Sequence, residues 1–353
     1  MGDSIQLCSK PTLACHHVTE RGSAAMEQQS AYQVGIEAYG DASVLRRFSQ
    51  TVPPPAAGEV QIRQTAVGVN FVDIYFRAGL HRLPQLPGAL GVEAAGVVAA
   101  LGPGVNGWQV GERVAYAGLP VGSYTNLRNV PAQKLLRLPA AVSDETAAAA
   151  LLRGATSYML LHRVRDIKPG DTVLVHAAAG GLGLILVQWA KALGARVIGT
   201  VGTPAKAALA LAHGLDQAVL YRDEDFVEAA RAFGGGAGVD FAVDGIGGAT
   251  LRRTLGAVKP FGVVASIGEA EGAIEPITLD EIGPARSIAL ARPSVLGMMR
   301  DVDAYRLAAQ QVFERIGAGL HVEVGERLPL DDAALAHRRM ETGQTVGSVI
   351  LIP

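Results

Sequence analysis

The residues best placed to do chemistry in this chain do it with their backbone. Val173 to Gly183 read Val-Leu-Val-His-Ala-Ala-Ala-Gly-Gly-Leu-Gly. Thr172 to Val175 form a short apolar run with the character of a buried strand, and the turn Ala177 to Gly181 carries almost no side chain. An apolar segment follows from Leu182 to Leu193, with Lys191 its single charge. Side chains at Ala178, Ala179, Gly180 and Gly181 are too small to keep a pyrophosphate off the backbone. A helix starting at Leu182 aims unpaired N–H groups and the positive end of its dipole at that anion. Gly183 lets the helix pack closely on the strand. The turn is not a literal Gly-x-Gly-x-x-Gly, so the reading rests on strand, turn and helix in succession.

The next residues discriminate among dinucleotides. A site for NAD places an acid roughly 20 residues after the turn, to accept from the ribose 2′-OH. Here Ile198 to Lys206 contain no acid, and the first one downstream is Asp216. Lys206 supplies a positive charge instead, and Thr200 and Thr203 supply hydroxyls, a set that suits the 2′-phosphate of NADPH. Other groups read as structural. Asp73 and Arg77 stand four apart, the spacing of a helical ion pair. His176 and Asp244 end apolar strands and read as packed, hydrogen-bonded side chains.

The surrounding elements must hold these groups. Strands at Ala195–Val201, Ala218–Tyr221, Val239–Asp244 and Val263–Gly268 alternate with helical stretches, one opening at Pro204 where a missing N–H costs nothing. Such alternation predicts a parallel, doubly wound α/β sheet. The N-terminal half reads differently. Short strands broken by glycines, including Glu59–Val69 and Gly88–Val110, predict an antiparallel, barrel-like domain. Ser143 opens an Ala-rich helix as an imperfect capping box with Thr146. The 353 residues allow two domains, and 49% hydrophobic content can fill both cores. The net charge of −2 argues against a nucleic-acid or anionic-membrane surface. No apolar run reaches spanning length. Both cysteines, Cys8 and Cys15, lie in a polar segment over residues 1–30 that is expected to be a disordered tail. This points to a reducing, cytoplasmic setting. Cys8, Cys15, His16 and His17 are read as part of that tail and not as a metal site.

Four stretches are distinctive: Gly68-Val-Asn-Phe-Val-Asp-Ile-Tyr-Phe-Arg-Ala-Gly79, His176-Ala-Ala-Ala-Gly-Gly181, Gly199-Thr-Val-Gly-Thr203 with Lys206, and Arg292-Pro-Ser294. In them, and from Tyr32 onward, the chain resembles the zeta-crystallin type of quinone oxidoreductase, in the medium-chain dehydrogenase/reductase superfamily. It implies a GroES-like, mostly-β catalytic domain over 31–154 and 292–353, with a Rossmann NADPH-binding domain inserted over 155–291. It implies cofactor contacts at Asn70, Tyr75, Thr156, Ala179, Gly180, Gly181, Leu182, Thr200, Gly202, Lys206, Tyr221, Ile267, Gly268 and Arg292. Asn70, Tyr75 and Arg292 would also be the catalytic set. Family members often add an arginine to the 2′-phosphate pocket where this chain has Gly343.

Zinc-dependent members of the superfamily carry Cys at the place of Asn70 and a His-Glu pair at Val92-Glu93. Without thiolate or imidazole there, a tetrahedral catalytic zinc cannot be built, and no metal is expected. The acceptor must then be electrophilic unaided, a quinone or an activated enone. Tyr75 reads either as a donor to the developing oxyanion or as a spacer that closes the cleft. The alternatives are an alkenal or enone double-bond reductase and, in another class, a crystallin-like or RNA-binding role known among relatives. A homodimer is implied by the resemblance.

Overall fold

The computed structural model describes residues 1–2 and 29–353. The expected tail, with its cysteine and histidine pairs, falls largely on residues 3–28 and so outside the described residues. The first strand runs Gln29–Ile36, so the expected tail over 1–30 is overrun by the strand at Gln29 and Ser30.

One half is built on a six-stranded, wholly parallel sheet. Its order is Gln217–Leu220, Arg196–Val201, Thr172–Val175, Val239–Asp244, Val258–Ser266, Ala289–Ala291. Thr172–Val175 lies in the middle and every residue of it is buried, which is why it reads as a continuous apolar run. The chain builds outward first to one side of it and then to the other, so a switch point opens beside its C-terminal end. The strand expected from Val263 starts earlier, at Val258. Lys259-Pro-Phe-Gly262 interrupts the apolar pattern, and the register shifts where Val258 pairs with Val239.

The other half holds a three-stranded sheet and a seven-stranded sheet centred on Glu59–Val69 and Glu93–Leu101. Most pairs are antiparallel, as expected. The exception is Val324–Pro329 beside Ser348–Ile352, which are parallel because the helix Ala333–Glu341 crosses over between them. Ser348–Ile352 pairs antiparallel with Glu59–Val69, so residues late in the chain complete a sheet begun early in it.

The helix Asp144–Tyr158 joins the halves. Ser143 Oγ accepts the Thr146 N–H at 3.0 Å, fixing its start. It packs on Glu59–Val69 and Glu93–Leu101 on one side and on the helices Gly181–Ala192 and Val302–Gly317 on the other. Small side chains permit this close packing. A Cβ at Gly154 would lie 2.5 Å from Val312 Cγ2.

Candidate active site

A cleft of about 1020 Å³ opens between the two halves, and every cofactor and catalytic residue expected from the sequence lines it. Its floor is the glycine turn. Gly180 is the N-cap of helix Gly181–Ala192 and no side chain caps that helix. The N–H groups of Gly181, Leu182 and Gly183 therefore lack intrahelical acceptors. A Cβ at Gly183 would meet Ala177 O at 2.4 Å and Ala178 Cα at 2.7 Å, so only glycine permits this tight turn. Gly180 differs, since a Cβ there would meet only Ala177 O, at 3.2 Å, and would project into open cleft. The other half of the molecule braces the turn. Gly347 N donates to Ala179 O at 2.9 Å, and Gly180 and Gly347 form a parallel bridge. Uncapped donors beside a wall with no side chains fit a pyrophosphate.

Lys206, Tyr221 and Gly202 cluster at one end. A Cβ at Gly202 would come within 3.2 Å of the Tyr221 hydroxyl. Lys206 Nζ donates to Gly343 O at 2.6 Å. Burial, and then the nearby Arg222 guanidinium, lower the Lys206 pKa. Arg222 also lines the cleft and was missed by sequence reading, because it follows Tyr221 outside any recognised motif. The hydroxyls of Thr200 and Thr203, which both line the cleft, already have one partner each. Thr200 Oγ1 bonds His176 Nδ1 at 2.9 Å, and Thr203 Oγ1 caps its own helix at Lys206 N. His176 also bonds Thr254 Oγ1 at 2.9 Å, and burial lowers its pKa, as suits a packed neutral ring.

Asn70, Tyr75 and Arg292 line the same cleft, and Glu269 links the last two. Tyr75 Oη accepts the Glu269 N–H at 2.7 Å, which leaves its own O–H proton free to donate. Burial raises its pKa, so the phenol stays protonated. Glu269 also ion-pairs with Arg292, whose Nη1 donates to Ser266 Oγ at 3.0 Å. Gly268 must be glycine, because a Cβ would lie 2.6 Å from Gly245 O and 3.0 Å from Tyr75 Oη. Ile267 precedes it, just past the strand end. Thr156 faces the cleft from its helix, its hydroxyl bonded to Leu152 O at 2.8 Å.

Asn70 Nδ2 donates to Glu93 Oε2 at 2.8 Å. Glu93 is wholly buried. Its Oε1 accepts the Leu152 N–H at 2.6 Å, and Arg153 Nη1 stands 3.6 Å from Oε2. Burial pushes this carboxyl up, against the pull of the Arg153 guanidinium. Sequence reading assigned no role to Arg153, which lies 60 residues along the chain from Glu93 and carries no motif.

The Asp73–Arg77 pair expected from their spacing does not form. Asp73 Oδ2 turns back to accept the Asn70 N–H at 2.8 Å, while Arg77 reaches Glu341 with nitrogens at 2.5 and 3.0 Å from its oxygens. A first-turn carboxylate is drawn to the free N–H groups of its own helix start, and that outcompetes the i+4 partner. Asp244 is structural as expected, its Oδ1 accepting from Ile246 N and Gly247 N, each at 2.9 Å.

A parallel nucleotide-binding sheet with an uncapped glycine turn, facing a GroES-like half across a cleft, defines a two-domain nucleotide-dependent oxidoreductase. Residues 56–140 match the alcohol dehydrogenase GroES-like domain and residues 181–314 the zinc-binding dehydrogenase domain. Quinone oxidoreductase 1 of Escherichia coli K12 is 41% identical over 326 residues, covering 92% of this chain and 100% of its own. A 2-haloacrylate reductase from Burkholderia sp is 42% identical over 309 residues, covering 86% and 93%. The crystal structure of E. coli quinone oxidoreductase complexed with NADPH superposes with a TM-score of 0.88 at 41% identity, covering 91% of this chain and 100% of that one. The chain belongs to the zeta-crystallin-type quinone oxidoreductases of the medium-chain dehydrogenase/reductase superfamily.

Proposed function

We propose that this protein reduces quinones with NADPH in a cleft that uses no catalytic metal. The supporting observation is the Asn70–Glu93 contact. Where zinc-dependent relatives carry a thiolate and an imidazole, this chain has an amide already tied to a carboxylate, with apolar Val92 beside it. No cysteine follows Cys15 anywhere in the sequence, although one matching domain family is described as zinc-binding. Neither an amide nor a valine supplies the donors of a tetrahedral zinc site.

The bound cofactor supplies a hydride. The chain's residues bind and orient. The N–H groups of Gly181, Leu182 and Gly183 take the pyrophosphate, and Lys206 with Arg222 takes the 2′-phosphate beside Tyr221. Asn70 Nδ2 keeps one hydrogen free after bonding Glu93, for a carboxamide or quinone oxygen. The Tyr75 O–H is held toward an oxyanion by its bond from Glu269, and Arg292 lends positive charge at the same end. A quinol oxyanion is stable enough in water to collect its protons from solvent.

A second reading, reduction of an activated C=C bond, is favoured by the similarity to the haloacrylate reductase. It makes greater demands on Tyr75, because carbon must then be protonated. We place the domain division at 31–154 with 292–353, and 155–291. Ala289–Ala291 is an edge strand, and Phe261 stands exposed beside Ser287, so this rim offers a second copy both backbone pairing and apolar surface. These features support a homodimer through that edge. No described helix is long and apolar enough to cross a membrane. A cytoplasmic setting rests on the cysteine usage.

The test is oxidation of reduced nicotinamide against a panel of quinones, enones and aldehydes, with NADPH and NADH, before and after chelation. Turnover of quinones with NADPH, insensitive to chelator, is expected. A protein that consumes neither nucleotide, or that needs added metal for quinone turnover, defeats the proposal.

A further inference from the structure

Outside the cleft, His213, His321 and Glu323 bring three ligating atoms within 4.8 Å of one another. His213 follows the helix Pro204–Ala212, and the other two lie in the segment entering Val324–Pro329. None of the three lines the cleft. Glu323 Oε2 stands 3.4 Å from His321 Nε2 and 3.9 Å from His213 Nε2. The two imidazole centroids are 5.5 Å apart.

The orientation of His213 is the informative part. Its Nδ1 lies 2.9 Å from Leu209 O. A carbonyl only accepts, so Nδ1 carries the hydrogen, and in the neutral ring Nε2 presents a lone pair. Nε2 lies 3.9 Å from Glu323 Oε2, so a proton or a metal ion between them satisfies both acceptors. An Nδ1–H bonded to a backbone carbonyl is also how proteins orient a metal-ligating histidine. The His213 side chain is only 10% exposed, so the ring has little freedom to turn away.

The other two ligands are held by their backbones. His321 N donates to Gln188 Oε1 at 2.8 Å, and Gln188 Nε2 returns a bond to His321 O at 2.9 Å. Glu323 O accepts the Ser348 N–H at 2.8 Å.

We propose that His213, His321 and Glu323 form a site for a divalent transition cation of the zinc type. Zinc holds nitrogen and oxygen ligands at about 2.0–2.2 Å in a tetrahedron, which sets them roughly 3.3–3.6 Å from one another. The His321–Glu323 pair already has that spacing, and the His213–Glu323 pair needs a contraction of a few tenths of an ångström. Two imidazoles and one carboxylate suit zinc, nickel or copper, whereas magnesium and calcium seek oxygen ligands. The fourth position faces solvent beside His321, whose side chain is 67% exposed, and takes water. The ion would tie the end of a nucleotide-domain helix to a segment of the catalytic half, away from the residues that line the cleft.

The test uses the full chain after dialysis against chelator, titrated calorimetrically with zinc chloride. One equivalent is expected to bind and to raise Tm. His321→Ala and Glu323→Gln are each expected to weaken binding by at least about tenfold, the lower end of what loss of a mere outer-shell partner costs. Both should abolish the Tm shift and leave quinone turnover of the metal-free protein unchanged. His321 is exposed, so its removal does not threaten the fold. Variants that bind zinc as tightly as the parent overturn the proposal. So does loss of the equivalent when Cys8→Ser, Cys15→Ser, His16→Ala and His17→Ala are combined with the three residues left intact.

Discussion

Tyr75 Oη accepts the backbone N–H of Glu269 at 2.7 Å, a bond that spans the cleft from the helix Phe71–Ala78 to the loop after the strand Val258–Ser266. The Glu269 carboxylate holds Arg292 at the same time. One residue with no sequence signature thus aligns two side chains from distant parts of the chain. The Tyr75 oxygen is committed as an acceptor, and its proton is what remains to give.

Tyr75→Phe separates the two candidate reactions. Loss of a positioned proton donor costs roughly 10²–10⁴-fold where a proton must be delivered in the transition state. We expect kcat/KM for enones to fall in that range and quinone turnover to fall less than about tenfold. Parallel losses on both substrates would show that Tyr75 only closes the cleft.

Lys206→Ala and Arg222→Ala test the choice of nucleotide. A charge-assisted bond to phosphate is worth about 1.5–3 kcal/mol, or about one to two decades. KM for NADPH should rise by that amount in Lys206→Ala, and in Arg222→Ala by a smaller factor, with KM for NADH nearly unchanged. An equal rise for both nucleotides would place these cations away from the 2′-phosphate.

Two glycines of the turn should fail in different ways. In Gly183→Ala the new methyl strikes backbone at 2.4 Å and 2.7 Å, so the turn itself must move. A stability loss of about 1–3 kcal/mol is expected, together with loss of nucleotide binding. In Gly180→Ala the methyl meets one backbone oxygen at 3.2 Å and otherwise occupies the anion's place. Tm should hold while affinity for NADPH falls. Denaturation and fluorescence titration of both variants make the comparison, and matching Tm losses would refute the distinction.

Asp73 gives a pH signature. Burial pushes its carboxyl up to about 7, and its Oδ1 has no hydrogen-bond partner. An unfolded aspartate titrates near ~3.9. Between these values the native state holds a proton that the unfolded state releases. Its contribution is therefore full below about pH 4 and is lost as pH rises through about 7. Asp73→Asn should remove that slope, worth at most about 4 kcal/mol. His337, pushed down to about 3 by burial, works in the opposite sense, losing stability as pH falls below its unfolded value. The informative quantity is thus the difference between parent and variant in urea unfolding at about pH 5 and about pH 8. A difference independent of pH would mean that Asp73 stays ionised throughout.

Much of the architecture is legible in the sequence because it is local. Thr172–Val175 announces itself as a buried central strand, Ala177 to Gly183 as a bare turn, and Pro204 as a helix start, each from consecutive residues. What escapes is contact between distant residues. Arg77 has an acid four positions away, yet it pairs with Glu341, 264 residues on. Glu269 and Arg153 show the same blindness, since nothing near either marks the partner it will meet. The threonine hydroxyls show the same limit. Residue type shows that a hydroxyl exists, and only the fold shows that His176 already bonds the one at Thr200.

The bond from Gly347 to Ala179, with the bridge between Gly347 and Gly180, has a consequence for synthesis of the chain. The glycine turn is translated more than 160 residues before its brace. A nascent chain therefore displays an unsupported nucleotide site for many seconds at elongation rates of about 5–20 residues per second. Removal of Gly347 and the strand after it is therefore expected to loosen the turn while leaving the parallel sheet around Thr172–Val175 in place.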